Sequence, residues 1–278
     1  MALWPLVYQW IGERVKAQLV YGDAKGLKTR GRWHYWFVVL DVTTELPVLA
    51  ALLPSRRQWA CRWLGWQRRR LQKGPRVIIT AGLQAYPSLV PRAKHVLWCL
   101  HHQQGVTHWL KPHFATEAEI NMHKPAMKQL LRTQDKRTVR RRLARLKEHA
   151  PALGLMAWIT GGQEKLPQLI CSVGSTRLPS TTNAIERFFR AFQRFYATRG
   201  GVHSVRSATR ERLLLLVVYL VTQRATDGQT PIEVILPGAR GMPLYRLIND
   251  PFRALQEREA VQSEATMADL LVPEAAAA

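Results

Sequence analysis

With 278 residues, 47% of them hydrophobic, the chain can bury a sizeable core as one large domain or two small ones. Its 41 basic residues against 19 acidic ones leave a formal charge of +22, well beyond what solubility requires, and imply a polyanionic partner, nucleic acid first. Three cysteines, Cys61, Cys99 and Cys171, exclude a disulfide framework and a four-cysteine zinc site and fit a reducing cytoplasm. The start, MALWPLVYQW, lacks a signal peptide's basic region and cleavage site, and the longest apolar run, Leu213 to Val221, is too short for a bilayer span.

Val15 to Asp23 reads as a short strand ending in an aspartate, followed by a Gly/Lys turn, AKGLKTRGR. Trp33 to Asp41 and Leu46 to Leu53 are two further apolar runs, and the three together predict an antiparallel meander. Asp41 directly precedes a polar connection and reads as a turn residue. Arg56 to Lys73 holds seven basic residues and no acid, interleaved with Trp59, Trp63, Leu64, Trp66 and Leu71, which predicts an amphipathic helix with a basic face that includes Arg68, Arg69 and Arg70. Gly74-Pro75 stops it, Arg76 to Thr80 is a buried-type strand, and Ala93 to Leu100 is a fifth. From Thr116 to Cys171 the pattern is helical. Within it Lys136 to Lys147 places seven basic residues in twelve positions, Arg140, Arg141 and Arg142 among them, a charge run that is either a solvated face or a track for phosphates.

Ser180 to Arg199 predicts a helix with two opposed faces. Ile185, Phe188, Phe189, Phe192, Phe195 and Tyr196 lie on one, and Glu186, Arg187, Arg190, Gln193 and Arg194 on the other. One carboxylate in an arginine row suits a site that ligates a metal and holds phosphates. With Asn183 as N-cap, Glu186 alternatively closes a capping box. Gly200-Gly201 ends the helix, Ser204 to Gln223 is a further helix whose apolar run reads as core, and the alanine-rich segment beyond Phe252 reads as a mobile tail.

Three antiparallel strands, a helix, two more strands and late helices is the element order of an α/β, RNase H-like fold. That predicts a mixed five-stranded sheet flanked by helices, with an all-helical insertion before the last catalytic helix. The expected parts are residues 1–103 and 179–252 for the catalytic domain, 104–178 for the insertion and 253–278 for the tail. Over roughly Leu19 to Ser207 the chain resembles the DDE transposases, and within them the bacterial Mutator-type insertion-sequence enzymes. The features that carry the resemblance, in order, are YGDAKGLKTRGRWHYWFVVLDV with Asp23, VIITAGLQAY, the Cys99-x-x-His102 marker, a long helical gap from Ala81 to Glu186, and TTNAIERFFR.

The resemblance implies three carboxylates that hold two Mg²⁺ ions, with Mn²⁺ able to substitute, about 4 Å apart around a scissile phosphate. Asp23 would bridge both ions, Glu186 would hold one, and position 81 would supply the third carboxylate, where this chain has alanine. The motif around Ala81 is otherwise intact, which favours a deliberate Asp-to-Ala substitution over a decayed copy. The implied activity is cleavage of transposon ends and strand transfer into target DNA, blocked here at Ala81. A catalytically silent DNA-binding protein and a structure-selective nuclease on the same fold are the alternatives. Implied partners are double-stranded DNA, as transposon ends and target, and further copies of the chain in a homodimer or larger assembly, in a bacterial cytoplasm with the nucleoid and without membrane attachment. Cys99 and His102 are expected to be structural, with zinc as the competing reading among His95, His101, His108 and His113. Trp158, in the insertion, is a candidate for stacking a flipped or hairpin-end base.

Overall fold

A computed structural model describes residues 15–69, 74–81, 85–114, 116–179, 183–198, 202–222 and 228–234, together with 253 and 260; at 63, 66–69, 99–104, 195, 197 and 198 it describes the backbone alone. Most of the strands are near-continuous apolar runs buried on both faces, and the chain winds them into one five-stranded sheet. The strands are β1 (Leu19–Thr29), β2 (Arg32–Asp41), β3 (Pro47–Leu53), β4 (Val77–Thr80) and β5 (Lys94–Leu97). Their spatial order is β3-β2-β1-β4-β5, with β1, β2 and β3 antiparallel and β4 and β5 parallel to β1. This mixed sheet with helices on its faces is the predicted RNase H-like arrangement.

The first strand differs from its sequence expectation. It does not end at Asp23 but continues to Thr29, because β1 and β2 pair without interruption from Val20↔Asp41 to Thr29↔Arg32. The reversal is instead made by Arg30 and Gly31, both left-handed at φ 47° and 78°, the two-residue hairpin whose twist matches its strands. Lys28 fits in the strand because its Nζ lies over the Trp33 ring, 5.1 Å from the centroid. The fifth strand also ends earlier than Leu100. Trp98 N donates to Thr80 O at 3.1 Å, and helix α2 (Cys99–His113) begins at the next residue. The sequence gives little sign of that helix, since it carries Pro112 and has weak apolar periodicity.

One face of the sheet, with Val20, Phe37, Val39 and Ile78, packs on helix α1 (Gln58–Arg69) through Ala60, Cys61 and Leu64. Leu71 and the rest of the expected basic helix beyond Arg69 lie outside the described residues. The opposite face, with Tyr21, Leu27, Trp36, Val38 and Ile79, is covered by helix α6 (Asn183–Thr198) and, behind it, α7 (Val205–Val221). A third core joins α2 to the helices α3 (Glu117–Gln129), α4 (Lys136–His149) and α5 (Met156–Leu169) through Val106, Leu110, Met127, Val139, Leu143 and Ile159. The expected boundary at residue 103 therefore falls inside α2. Thr116 and Glu119 form a capping box on α3, and the Asp135 carboxylate caps α4 by accepting from the backbone of Arg137 and Thr138.

The apolar run in α7 is buried on one side only: Leu216 and Leu220 are inside, whereas Leu214 and Val218 are exposed, so the expectation of a fully buried helix is corrected. A run without periodicity gives no face to place, and packing against α6 selects one. No helix among the described residues is long and apolar enough to cross a membrane. Gly200-Gly201 and all of the expected tail except 253 and 260 lie outside the described residues.

Helix α1 approaches the segment after β4 so closely that a Cβ at Gly65 would sit 2.0 Å from the backbone oxygen of Leu89. Backbone cannot swing aside as a side chain can, so Gly65→Ala is expected to destabilise the protein by about 3 kcal/mol, read as a lower urea midpoint with unchanged slope.

Candidate functional site

The site is built where β4 stops. The last parallel pair is Gly22↔Thr80, so the next positions along the two strands, Asp23 and Ala81, are neighbours with no ladder bond between them. Asp23 is half-buried. Its Oδ1 accepts the Ala24 N–H at 2.8 Å and the Tyr86 hydroxyl at 3.2 Å. Tyr86 arrives from the α1 face, edge-on to Phe37 at 6.2 Å, and reaches Asp23 past the end of β4. Burial, with the Asp23 carboxylate adding to it, pushes the Tyr86 phenol well above its ordinary value, so it remains a hydrogen-bond donor. Tyr86 ends the VIITAGLQAY stretch, but nothing short of the folded chain says that it returns to β1.

Helix α6 forms because its aromatic positions recur at helical spacing and find a flat sheet to cover. Of the predicted apolar face, Ile185, Phe188, Phe189 and Phe192 are buried and Tyr196 is half-buried, while the Phe195 side chain lies outside the described residues; Ala184 is buried beside them. Trp36 on β2 lies beneath them, with ring centroids 5.2, 5.8 and 4.8 Å from Phe188, Phe189 and Phe192. At its far end the Tyr196 hydroxyl donates to Lys28 O at 3.3 Å, and near its start Arg187 acts on the Tyr21 phenol. The helix therefore runs along β1 over the stretch that contains Asp23, whose strand parity is that of Tyr21 and Leu27. Asn183 is the first described residue of the helix, and Glu186 is half-buried in its first turn; Ser180, Thr181 and Thr182 lie outside the described residues.

Arg190, Gln193 and Arg194 are exposed on the opposite face of α6. Arg187 is half-exposed but engaged: its Nη2 donates to Glu45 Oε1 at 2.6 Å. On α4, Arg140 and Arg141 face solvent, whereas Arg142 turns back to hold the Gln129 and Arg132 carbonyls at the end of α3, the latter at 3.0 Å. Arg68 and Arg69 close α1 with side chains outside the described residues, as is all of Arg70. Cys99 and His102 stand in the first turn of α2 with their side chains likewise outside the described residues. Asp41 is a turn residue as expected, with Oδ2 accepting from Thr44 N and Oγ1, both at 2.9 Å.

Ala81 opens into a pocket of about 290 Å³ between the strand ends and the helical insertion. Trp98, Gly105, Trp109, Trp158 and Lys165 are among its walls, and Trp158 is buried within one of them instead of standing free. Arg212 of α7 is a buried cation that sequence reasoning missed. Its guanidinium lies over Phe192 and Trp36, 4.8 and 5.4 Å from the ring centroids, and its Nη1 donates to Ala208 O at 2.9 Å. Burial lowers its pKa to about 10, which still leaves it charged at neutral pH.

A hard divalent cation requires oxygen donors, which Asp23 and Glu186 offer and the Ala81 methyl does not. Among the described residues no three His, Cys, Asp or Glu side chains lie together. Two carboxylates are donors for at most a single ion and do not fit the pair.

Tyr86→Phe removes the bond to Asp23 and is expected to cost about 1 kcal/mol at neutral pH. Burial, with a smaller contribution from Glu45, also raises the Tyr21 phenol, to about 12. Both folded values exceed the unfolded one, so the stability carried by the neutral phenols is complete below about pH 10 and is lost as pH rises through the folded values. The urea midpoint of the native chain should therefore fall above about pH 10, and fall less steeply in Tyr86→Phe.

No protein-family model matches the chain, and no curated protein matches it. Among solved structures, the HTLV-2 integrase catalytic core domain, in complex with magnesium and in a trimeric form, is similar to it at 12% identity, with a TM-score of 0.26 over 41% of this chain and 84% of that one.

Proposed function

We propose that this chain is the catalytic part of a DDE transposase of the bacterial Mutator-type insertion-sequence kind, which cleaves transposon ends and joins them to target DNA, and that Ala81 silences it. The observation that carries the reading is the end of β4. It sets residue 81 beside Asp23 on the strand that α6, with Glu186, runs along. An aspartate at 81 would complete a three-carboxylate donor set suited to Mg²⁺ or Mn²⁺, which, when bound, polarise a phosphate and activate the attacking oxygen.

The chain's own residues supply the remainder. Tyr86 orients the Asp23 carboxylate. Arg190 and Arg194 on α6, and Arg140 and Arg141 on α4, face solvent where phosphates can reach them. The pocket beside residue 81, with Trp109 and Trp158 in its walls, has the size and aromatic character to receive an unstacked base of a DNA end. Pairing of two DNA ends calls for at least a homodimer. Ala81 is also the specific observation that favours a second reading, a DNA-binding protein without chemistry.

Ala81→Asp is expected to produce divalent-cation-dependent nicking of transposon-end DNA and strand-transfer products on a gel, and Glu186→Gln in that background should abolish them. A folded Ala81→Asp protein that binds DNA but neither cuts nor joins any end sequence would leave the silent DNA-binding reading standing. Separately, replacing Arg140 and Arg141 together by Glu should weaken DNA binding at all sequences. It should also reduce the slope of log affinity against log salt by about 2, one for each phosphate that an arginine no longer neutralises.

A further inference from the structure

The turn between β2 and β3 does more than reverse the chain. Asp41 N donates to Leu46 O at 2.9 Å and Glu45 N to Asp41 O at 3.0 Å, while the Asp41 carboxylate holds Thr44. These bonds place Glu45 in the left-handed region at φ 56°, where a residue with a Cβ is strained and glycine is not. The residue at this position nonetheless holds two helices. Glu45 Oε1 accepts from Arg187 Nη2 of α6 at 2.6 Å, and Glu45 O accepts from the Tyr219 hydroxyl of α7 at 2.8 Å. The Glu45 side chain is 21% exposed, so its ion pair is partly sheltered from the screening that weakens surface pairs. Both charges of the pair act on the Tyr21 phenol, and Tyr21 is one step of strand alternation from Asp23 on β1.

The phenylalanine face of α6 holds the helix to the sheet, but apolar contact is non-directional and tolerates rotation about the helix axis. An ion pair is directional. Consecutive helical residues are about 100° apart, so pinning residue 187 sets where residue 186 points. We propose that Glu45 is a positioning residue: through Arg187 it fixes the rotation of α6, and so the direction in which Glu186 presents its carboxylate on the Asp23 side of the sheet. The proposal deepens the functional reading above and rests on Glu186 being a metal-binding carboxylate.

The test compares the native chain with Glu45→Gln, Glu186→Gln and the exchanged pair Glu45→Arg/Arg187→Glu. It reads hydrogen exchange along 183–198 and Mn²⁺ binding by electron paramagnetic resonance titration. Glu45→Gln should quicken exchange in the first two turns of α6 about 5-fold, leave β1 and β4 unchanged, and weaken Mn²⁺ binding several-fold, by about 3 to 10 times. The exchanged pair should restore both. Unchanged exchange in Glu45→Gln overturns the proposal, as does quickened exchange with undiminished Mn²⁺ affinity or a loss that the exchanged pair fails to rescue. If Glu186→Gln itself leaves Mn²⁺ affinity unaltered, the metal reading falls and the proposed role with it. That failure is recognisable because α6 exchange would still respond to Glu45→Gln.

Discussion

Trp36 stands at the middle of β2 with three phenylalanines of α6 around it and the Arg212 guanidinium above it, and the placement of α6 and α7 on the sheet depends on that packing. Large aromatic side chains contribute about 2–3 kcal/mol each on burial, with a further increment from tilted and edge-on contacts, so the helix has no comparable alternative seat. Phe188 extends the cluster to Tyr219 of α7 at 4.8 Å, edge-on, which makes the last two helices one unit against the sheet. A charged Arg212 inside this unit is tolerated because ring faces replace part of its lost hydration.

Around that anchored layer, polar contacts supply direction. Asp23 is oriented by Tyr86 across the end of β4, and α6 is tied at its start to Glu45 and at its far end to Lys28. Each bond joins parts of the chain far apart in sequence. The result is a carboxylate on β1 and another on α6, carried by elements whose relative placement is set by aromatic packing and whose rotation is limited by hydrogen bonds. The alanine at 81 sits within this frame without disturbing it, since a small apolar side chain after a buried strand leaves pairing and packing intact.

The charge of the chain also divides by structure. Arginines that look equivalent in the runs serve different ends: Arg140 and Arg141 meet solvent, Arg142 ties α4 to the carbonyls that end α3, and Arg187 belongs to Glu45. A charge run predicts a basic surface but not which of its members are already engaged. Helix ends and acidic turns elsewhere in the chain claim some of them.

The sequence by itself determined the order of the five strands and the two-faced character of α6, because apolar runs and apolar periodicity are local properties and burial enforces them wherever the strand or helix lands. It also identified Asp41 as a turn residue through its polar neighbours, and motif order offered Asp23, residue 81 and Glu186 as candidates. The length of β1 past Asp23, the start of α2 at Cys99 and the half-exposed state of α7 were decided only by the tertiary structure. In each case a partner overrode the local signal: β2 pairs through the lysines, Trp98 bonds back to Thr80, and α6 covers one side of an evenly apolar helix. Tyr86, at the end of the VIITAGLQAY stretch, and Glu45, in the polar connection after Asp41, carried no sequence sign of what they bind. Their roles arise from contacts spanning 63 residues to Asp23 and 142 residues to Arg187, which exist only once the sheet has closed.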